Sequence, residues 1–207
     1  RFFIADGVKK LATGFEIVDA TPITAGCRMI KTLAEIAEQY LGKTETPNNS
    51  GFTDKIFQKK MEDVGWSRSL AWCTFFTELS VKEWAIQVGR KDIVALLPKL
   101  FSGSATTTYK NCEIYASQNP TGPIRVSKVP VDNSVAIYRH GTGWQGHAAV
   151  TKNSFKAADK NTYVNNIEGN TNDKGGREGY IVARKKRNHN APISAKRLNI
   201  VGYIYFV

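Results

Sequence analysis

The sequence predicts an α+β fold in which helices come first along the chain and an antiparallel β-sheet follows. In the first half, apolar residues recur at the three- and four-residue spacing of buried helix faces. After "SGSATTT" the chain changes to β-rich segments separated by Gly, Asn, Asp and Pro, which favours neighbouring antiparallel strands. With 207 residues and no internal repeat or long linker, we expect one main domain at 28–207, preceded by an extension at 1–27.

Two amphipathic helices are predicted in the first part of the main domain. The first covers about residues 28–41, where Ile30 begins a row of apolar positions and Gly42 ends it. A polar loop, "TPNNSG", separates it from the second, "FTDKIFQKKMEDVG". We expect the Thr53 hydroxyl to cap this second helix.

A longer helix is predicted at about 70–88, with Gly89 in the position that often ends a helix. Its apolar residues lie on more than one side, so most of this helix should be buried. The segment "RKDIVALLPKL" predicts a shorter helix that stops near Pro98, because proline cannot donate the backbone hydrogen bond inside a helix.

Six segments in the second half are predicted as β-strands. They are short, rich in β-branched and aromatic residues, and bounded by turn residues. In chain order they are "PIRVSKV", "SVAIYRH", "GHAAVTK", "TYVNNIEG", "GYIVARKK" and "NIVGYIYFV". The residues before 28 mix short apolar pieces with turn residues and are interpreted as a strand-like extension, with no recognisable signal peptide.

The formal net charge of +11 indicates an anionic partner, such as nucleic acid, an anionic membrane surface or an acidic cell-wall polymer. The densest basic cluster, "ARKKRN" at 183–188, is interpreted as a solvated strand end or as part of such an anion-binding surface. No apolar run approaches the roughly 18 residues that a membrane span needs.

Cys73 is a candidate nucleophile because it lies near the start of the long predicted helix. The helix dipole and the free backbone N–H groups at that end stabilise a thiolate. Its alternative role is that of a buried thiol that packs as a small apolar residue. Cys27, Cys73 and Cys112 show neither a disulfide framework nor the paired spacing of a zinc site.

His147 is the candidate base for this thiol, because it opens the apolar strand "GHAAV" near the core. On an extended backbone Glu168 and Asn170 point to one face, where either side chain could accept a hydrogen bond from the imidazole. Such a partner fixes the tautomer of the base, as nucleophilic catalysis requires. The alternatives are a structural histidine and two turn residues at the end of a strand.

Three motifs taken in order resemble the CHAP family, the cysteine- and histidine-dependent amidohydrolases and peptidases of bacterial and phage cell-wall lysis. They are "WCTFF" at 72–76, "GHAAV" at 146–150 and "IEGNT" at 167–171. "NNSG" at 48–51 also resembles the Asn-Gly loop often found upstream of the Trp-Cys pair. The resemblance covers the chain from about residue 30 and implies a papain-like fold with the helices packed on the sheet.

The resemblance implies Cys73 as the nucleophile, His147 as the general base, and Glu168 or Asn170 as its orienting partner. The backbone N–H of Cys73 would then donate to the oxyanion. We expect no metal and no cofactor. The residues expected to contact substrate are Trp72, Asn49 and Trp144.

The function that the resemblance implies is cleavage of an amide bond in peptidoglycan, either between muramic acid and L-alanine or within the stem peptide or cross-bridge. Anionic wall polymers or lipopolysaccharide are the further partners that the basic surface suits, and we expect neither nucleic acid nor a membrane span. The enzyme would act on the cell wall after release by a holin, or from a virion or secretion system.

Two alternative functions stay open at this point. One is a nucleic-acid or polyanion binder in which Trp66, Trp144 and Tyr180 stack on bases. The other is a virion structural protein built on an inactive hydrolase fold.

Overall fold

The computed structural model describes residues 29–172 and 179–207. The extension expected at 1–27, with Cys27, lies outside the described residues. In the described part, five α-helices are followed by six β-strands, so the predicted α+β class is confirmed. The helices are α1 (Leu33–Glu38), α2 (Lys55–Glu62), α3 (Cys73–Gln87), α4 (Lys91–Leu100) and α5 (Ala105–Gln118). The strands are β1 (Ile124–Ser127), β2 (Ser134–His140), β3 (Gly146–Lys156), β4 (Thr162–Thr171), β5 (Ile181–Asn188) and β6 (Leu198–Phe206).

The six strands form one sheet in the order β1-β6-β2-β3-β4-β5, and each neighbouring pair is antiparallel. The antiparallel sheet and all six predicted strands are therefore confirmed. Strand β6 lies between β1 and β2 and so joins β1 to the rest of the sheet. Consecutive strands β2 to β5 lie side by side, which brings the start of β3 and the end of β4 into one region.

The main core lies between the helices and one face of the sheet. Val135 and Ile137 on β2 belong to this core, together with buried residues of α3 and α5. The residues that alternate with them, Ala136 and Tyr138, belong to a smaller buried cluster, which places it on the other face of the sheet. Both faces of the central strands are therefore buried, and the second face becomes important for the site.

The first two helices begin and end differently from the sequence-based expectation. Helix α1 is much shorter than 28–41, because Thr32 and Glu35 form a capping box that starts it there. Ile30 therefore lies before the helix and is 70% exposed. Helix α2 is capped by Asp54, whose carboxylate accepts from two backbone N–H groups, so the assignment of Thr53 as the cap was wrong.

The long, mostly buried helix predicted at about 70–88 is confirmed by α3. Ten of its fifteen residues are buried, and Cys73 is its first residue. Gly89 has a φ of +75°, the left-handed conformation that ends a helix without steric cost for glycine. The helix packs on strands β3 and β4 as well as on α1, α2 and α4, so its first residue is held at a fixed place beside the sheet.

Helix α4 lies in the predicted segment and ends at Leu100, two residues past Pro98, which is in its last turn. Leu97 and Leu100 on either side of the proline are buried in the main core, and their packing outweighs the missing hydrogen bond. Helix α5 was not predicted, because "ATTT" has low helix propensity. Its buried positions, Ala105, Thr108, Tyr109 and Cys112, nevertheless follow helical spacing, and the Ser104 side chain caps its start.

Gly169 on β4 marks the closest approach of α3 to the sheet. A Cβ atom built there would lie 2.7 Å from atoms of both Phe76 and Trp72, closer than real side-chain contacts allow. Both aromatic side chains are fully buried and have no room to shift. The glycine therefore lets the start of α3 approach β4 immediately beside Glu168.

We predict that Gly169→Ala lowers the free energy of unfolding by about 1–3 kcal/mol, because the added methyl group overpacks the core. Urea denaturation followed by circular dichroism measures this change. Gly143→Ala is the matched control, since its added Cβ would meet nothing closer than 3.5 Å. Equal stability of the two variants would contradict the close approach.

Candidate active site

The Cys73 thiol lies at the first position of α3 and is 6% exposed. The residue before it, Trp72, gives no side-chain cap, and the first turn carries no acidic residue. The backbone N–H groups of this turn therefore leave a positive field at the thiol that favours its ionised form. This agrees with the predicted position of the nucleophile.

The His147 imidazole connects this thiol to a carboxylate. Its Nε2 lies 2.9 Å from Oε2 of Glu168. The other ring nitrogen, Nδ1, is then the one left for the hydrogen bond that the His147 side chain makes with Cys73. Burial alone would lower the pKa of His147, but the charge of Glu168 and the bond with Cys73 raise it to about 9.

The Cys73 thiol is shifted toward the thiolate. Burial opposes its ionisation, but the hydrogen bond with His147 and the charge of the imidazolium outweigh burial and lower the pKa of Cys73. The backbone N–H of Ala148 adds a further stabilising hydrogen bond. Both shifts, the lowered pKa of Cys73 and the raised pKa of His147, favour a thiolate–imidazolium pair.

The Glu168 carboxylate is fully buried and is held between two cationic groups. The Arg187 guanidinium donates from Nε to Oε1 and from Nη2 to Oε2, the oxygen that also faces His147, each at 2.5 Å. Burial would raise the pKa of Glu168, but His147 and Arg187 hold it well below its usual range. The carboxylate is therefore charged and fixed in orientation wherever the protein is folded near neutral pH.

A polar network extends this arrangement over the second face of the sheet. The Asn166 amide donates to the Tyr138 hydroxyl at 2.8 Å and approaches Oε1 of Glu168 at 3.4 Å. Its carbonyl oxygen accepts from the Thr151 hydroxyl. The Arg187 guanidinium lies 5.2 Å from the centre of the Tyr138 ring, a cation–π contact that helps to hold the arginine in place.

The thiol and the imidazole open on a cleft of about 720 Å³. Its size is that of a pocket for a small molecule or a short peptide segment. The described residues around it include Ala71, His140, Trp144 and Asn170. Trp144 is 82% exposed, so it offers a large apolar surface at this cleft, where substrate contact was expected.

The structure thus brings Cys73, His147 and Glu168 together, and Glu168 is the residue that contacts the imidazole. Asn170 lines the same cleft. The expectation that Glu168 and Asn170 share a face depended on an extended backbone, but Asn170 has a φ of +54° beside a bulge in β4. The period-two argument therefore does not apply at this position.

Two of the residues expected to contact substrate, Trp72 and Asn49, are not seen at the cleft surface among the described side chains. Trp72 has no exposed surface; its ring packs edge-to-face on Phe52 and Phe76, and its indole N–H donates to Glu45. The prediction that Trp72 contacts substrate directly is therefore wrong. Its buried ring anchors the start of α3 instead. Asn49 ends the 3₁₀ turn Pro47–Asn49, and its side chain lies outside the described part of the structure.

The sequence analysis missed Arg187, Asn166 and Tyr138. Arg187 belongs to "ARKKRN", which was interpreted as a solvated strand end or anion-binding surface, yet its side chain is only 27% exposed. The alternation of β5 carried a usable signal, because it places Arg187 on the opposite face from the exposed Arg184 and Lys186. The identity of its partner depends on which strand lies beside β5.

Cys112 contrasts with Cys73. Its thiol is fully buried, and burial raises its pKa to about 12. Neither cysteine forms a disulfide. Across residues 29–172 and 179–207, no group of three or more His, Cys, Asp or Glu side chains is arranged to hold a metal ion.

No protein-family model, curated protein or solved structure matches this chain.

We predict that iodoacetamide alkylates Cys73 much faster than Cys112 in the folded protein at neutral pH, because only Cys73 combines access with a lowered pKa. The pH profile of Cys73 alkylation should move to higher pH in His147→Gln, since the imidazolium that stabilises the thiolate is removed. Mass spectrometry of peptides after timed alkylation measures both effects. An unchanged profile in His147→Gln would show that the imidazole does not activate the thiol.

We predict that Arg187→Ala lowers the free energy of unfolding by about 3 kcal/mol at pH 7, because it removes one of the cations beside a buried carboxylate. Glu168→Gln should relieve much of this loss in the double variant. The difference from wild type should narrow in acid, because the lowered pKa of Glu168 gives stability that is lost as the pH falls.

Arg184→Ala is the control for that measurement. Arg184 is on the same strand but pairs with Glu38 at the surface, so its loss should cost less than about 1 kcal/mol. Chemical denaturation of the wild type and these three variants measures the differences in the free energy of unfolding. If Arg187→Ala costs no more than Arg184→Ala, the guanidinium does not support the carboxylate.

Proposed function

We propose that this chain is a papain-like cysteine amidohydrolase or peptidase with a CHAP-like fold, and that its substrate is an amide bond of bacterial peptidoglycan. The observation that carries the proposal is a thiol and an imidazole on the cleft, with a buried carboxylate bonded to the imidazole. The thiol has a lowered pKa, the imidazole a raised one, and Glu168 lies 2.9 Å from the imidazole. These are the nucleophile, base and orienting group of acyl transfer.

In the first step the Cys73 thiolate attacks the carbonyl carbon of the amide. A C–S bond forms, and the π electrons of the carbonyl move to its oxygen to give a tetrahedral oxyanion. The backbone N–H of Cys73, at the uncapped start of α3, is the donor we assign to that oxyanion. Negative charge that moves from sulfur to oxygen thus stays within the positive field of the helix terminus.

The His147 imidazolium then donates its proton to the leaving nitrogen, and the C–N bond breaks to release an amine and leave a thioester on Cys73. His147, now neutral, accepts a proton from a water molecule that attacks the thioester. Breakdown of this second tetrahedral species releases a carboxylic acid and restores the thiolate–imidazolium pair. Throughout, Glu168 holds Nε2, so that Nδ1 stays directed at the reacting groups.

The choice of peptidoglycan is supported by the resemblance of "WCTFF", "GHAAV" and "IEGNT" to the CHAP family and by the net charge of +11, which suits anionic wall polymers or lipopolysaccharide. The scissile bond is either the amide between muramic acid and L-alanine or one in the stem peptide or cross-bridge. We propose action at the cell wall, as for a phage lysin. No helix in the described part of the chain has the length and apolar character of a membrane span.

The nucleic-acid alternative loses one of its stacking residues. Trp66 is 2% exposed and packs on Phe52 in the core, so it is not available to a base. A binding or structural protein also has no need of a thiol with a lowered pKa beside a buried imidazole–carboxylate pair. The hydrolase accounts for these features together.

We predict that the wild-type protein clears suspensions of purified peptidoglycan, and that Cys73→Ala lowers the rate by about 10⁴-fold or more, because the nucleophile is lost. Turbidity gives the rate, and mass spectrometry of the released fragments identifies the bond. Cys112→Ala is the matched control, since it removes a thiol outside the cleft and should retain the wild-type bond specificity.

Peptidoglycans with different cross-bridges and stem peptides should be compared, because the scissile bond differs among them. The proposal is overturned if the wild-type protein cleaves none of these substrates while remaining folded by circular dichroism. It is also overturned if Cys73→Ala clears them as fast as the wild type.

A further inference from the structure

The cleft beside Cys73 has a strongly basic part. Lys185 on β5 and the adjacent residues Lys196 and Arg197, which precede β6, line it, and we call these three residues the basic wall. Among the described residues that line the cleft, none is Asp or Glu. A cleft lined by positive charge raises the local concentration of anions.

The charges of the basic wall are not neutralised within the described structure, where none of its three side chains takes part in a salt bridge. Neighbouring cations differ in this respect. Arg187 is paired with Glu168, and Lys152 and Arg184 share Glu38. The wall therefore holds cations that are available to a ligand, next to the nucleophile rather than on a remote surface.

The segment that carries Lys196 and Arg197 is fixed to the turn after β2. The carbonyl of Arg197 accepts from the N–H of Gly141 at 2.9 Å, and the Asn199 amide donates to the carbonyls of both Gly141 and Ser194. Gly141 has a φ of +56°, and a Cβ atom there would lie 2.5 Å from the carbonyl oxygen of Ala195. The two backbones approach so closely that only glycine fits, which holds the wall at a set place beside the cleft.

We propose that the basic wall binds a carboxylate of the substrate, so that the enzyme prefers peptides with a free carboxylate close to the amide it cleaves. The proposal rests on the proposed function, because the anionic groups of a peptide substrate are carboxylates. Lysine and arginine side chains form charge-assisted hydrogen bonds with carboxylates that are roughly twice as strong as neutral ones. The two exposed members, Lys196 and Arg197, are free to orient toward such a group.

A first experiment tests the basic wall without any peptidoglycan. Iodoacetate and iodoacetamide react with Cys73 by the same displacement: the thiolate forms a C–S bond to the methylene carbon, and iodide leaves. The two reagents differ in the negative charge of the carboxylate. The rate constant for iodoacetate divided by that for iodoacetamide therefore reports how strongly the surroundings of the thiol favour a carboxylate. We call this quotient the alkylation ratio.

We predict that this ratio falls at least about threefold in the double variant Lys196→Glu, Arg197→Glu, because four units of charge change near the path of the reagent. The control is Lys91→Glu. Lys91 lies far from the cleft. Its neighbour Arg90 donates to the carbonyl of Val207, just past the end of β6. The nine residues of β6 place that end ~30 Å from Leu198 at the cleft. If the ratio falls no further in the double variant than in Lys91→Glu, the basic wall does not attract a carboxylate and the proposal is overturned.

A second experiment compares peptidoglycan fragments whose stem-peptide carboxylates are free with the same fragments after amidation. The wild-type protein should show a higher kcat/KM for the free acids, mainly through a lower KM, and the double variant should lose that preference. Equal kcat/KM for the two fragments in the wild type overturns the basic wall but leaves the hydrolase intact. If no fragment is cleaved while the alkylation ratio still falls, the carboxylate site stands and the proposed hydrolase fails.

Discussion

The site depends on one buried charge, the carboxylate of Glu168. A carboxylate without exposed surface is costly to bury unless cations and donors surround it. Here His147 and Arg187 both contact it, and Asn166 donates to it. Because the carboxylate stays ionised, it raises the pKa of His147, and the resulting imidazolium lowers the pKa of Cys73. The lowered pKa of the thiol thus depends on a carboxylate that does not contact it.

The fold brings the thiol, the imidazole and the carboxylate together from three separate elements. Helix α3 supplies the thiol at its first residue, β3 supplies the imidazole near its start, and β4 supplies the carboxylate near its end. The helix is buried along most of its length, and Gly169 lets it approach β4 without a steric clash. Trp72 completes the anchoring, because its buried ring closes the core immediately before Cys73. Packing and electrostatics therefore act on the same few residues.

Much of the site was predictable from short motifs, because the chemistry of a thiol nucleophile requires a histidine and an orienting group in a recognisable order. Cys73 and His147 were found in this way, and Glu168 was one of two candidates together with Asn170. All six strands followed from their alternation and bounding turns. Helix α5 was missed because its buried positions are polar or small, so its spacing is visible only when Thr108 and Cys112 count as core. Helix α4 was predicted in its segment; it ends two residues past Pro98, where Leu97 and Leu100 are buried.

The sequence by itself determined the α+β class, the antiparallel character of the sheet, and the identity of the candidate nucleophile and base, because these follow from periodicity and from side-chain chemistry. Only the tertiary structure decided that Glu168 is the partner of His147, that Arg187 supports it, and that Trp72 is a core residue. The physical reason is that such contacts join residues on different elements, and their distances follow from strand order and from the packing of α3. The position of Lys196 and Arg197 at the cleft was likewise decided only by the tertiary structure, because the turn at Gly141 holds their segment there.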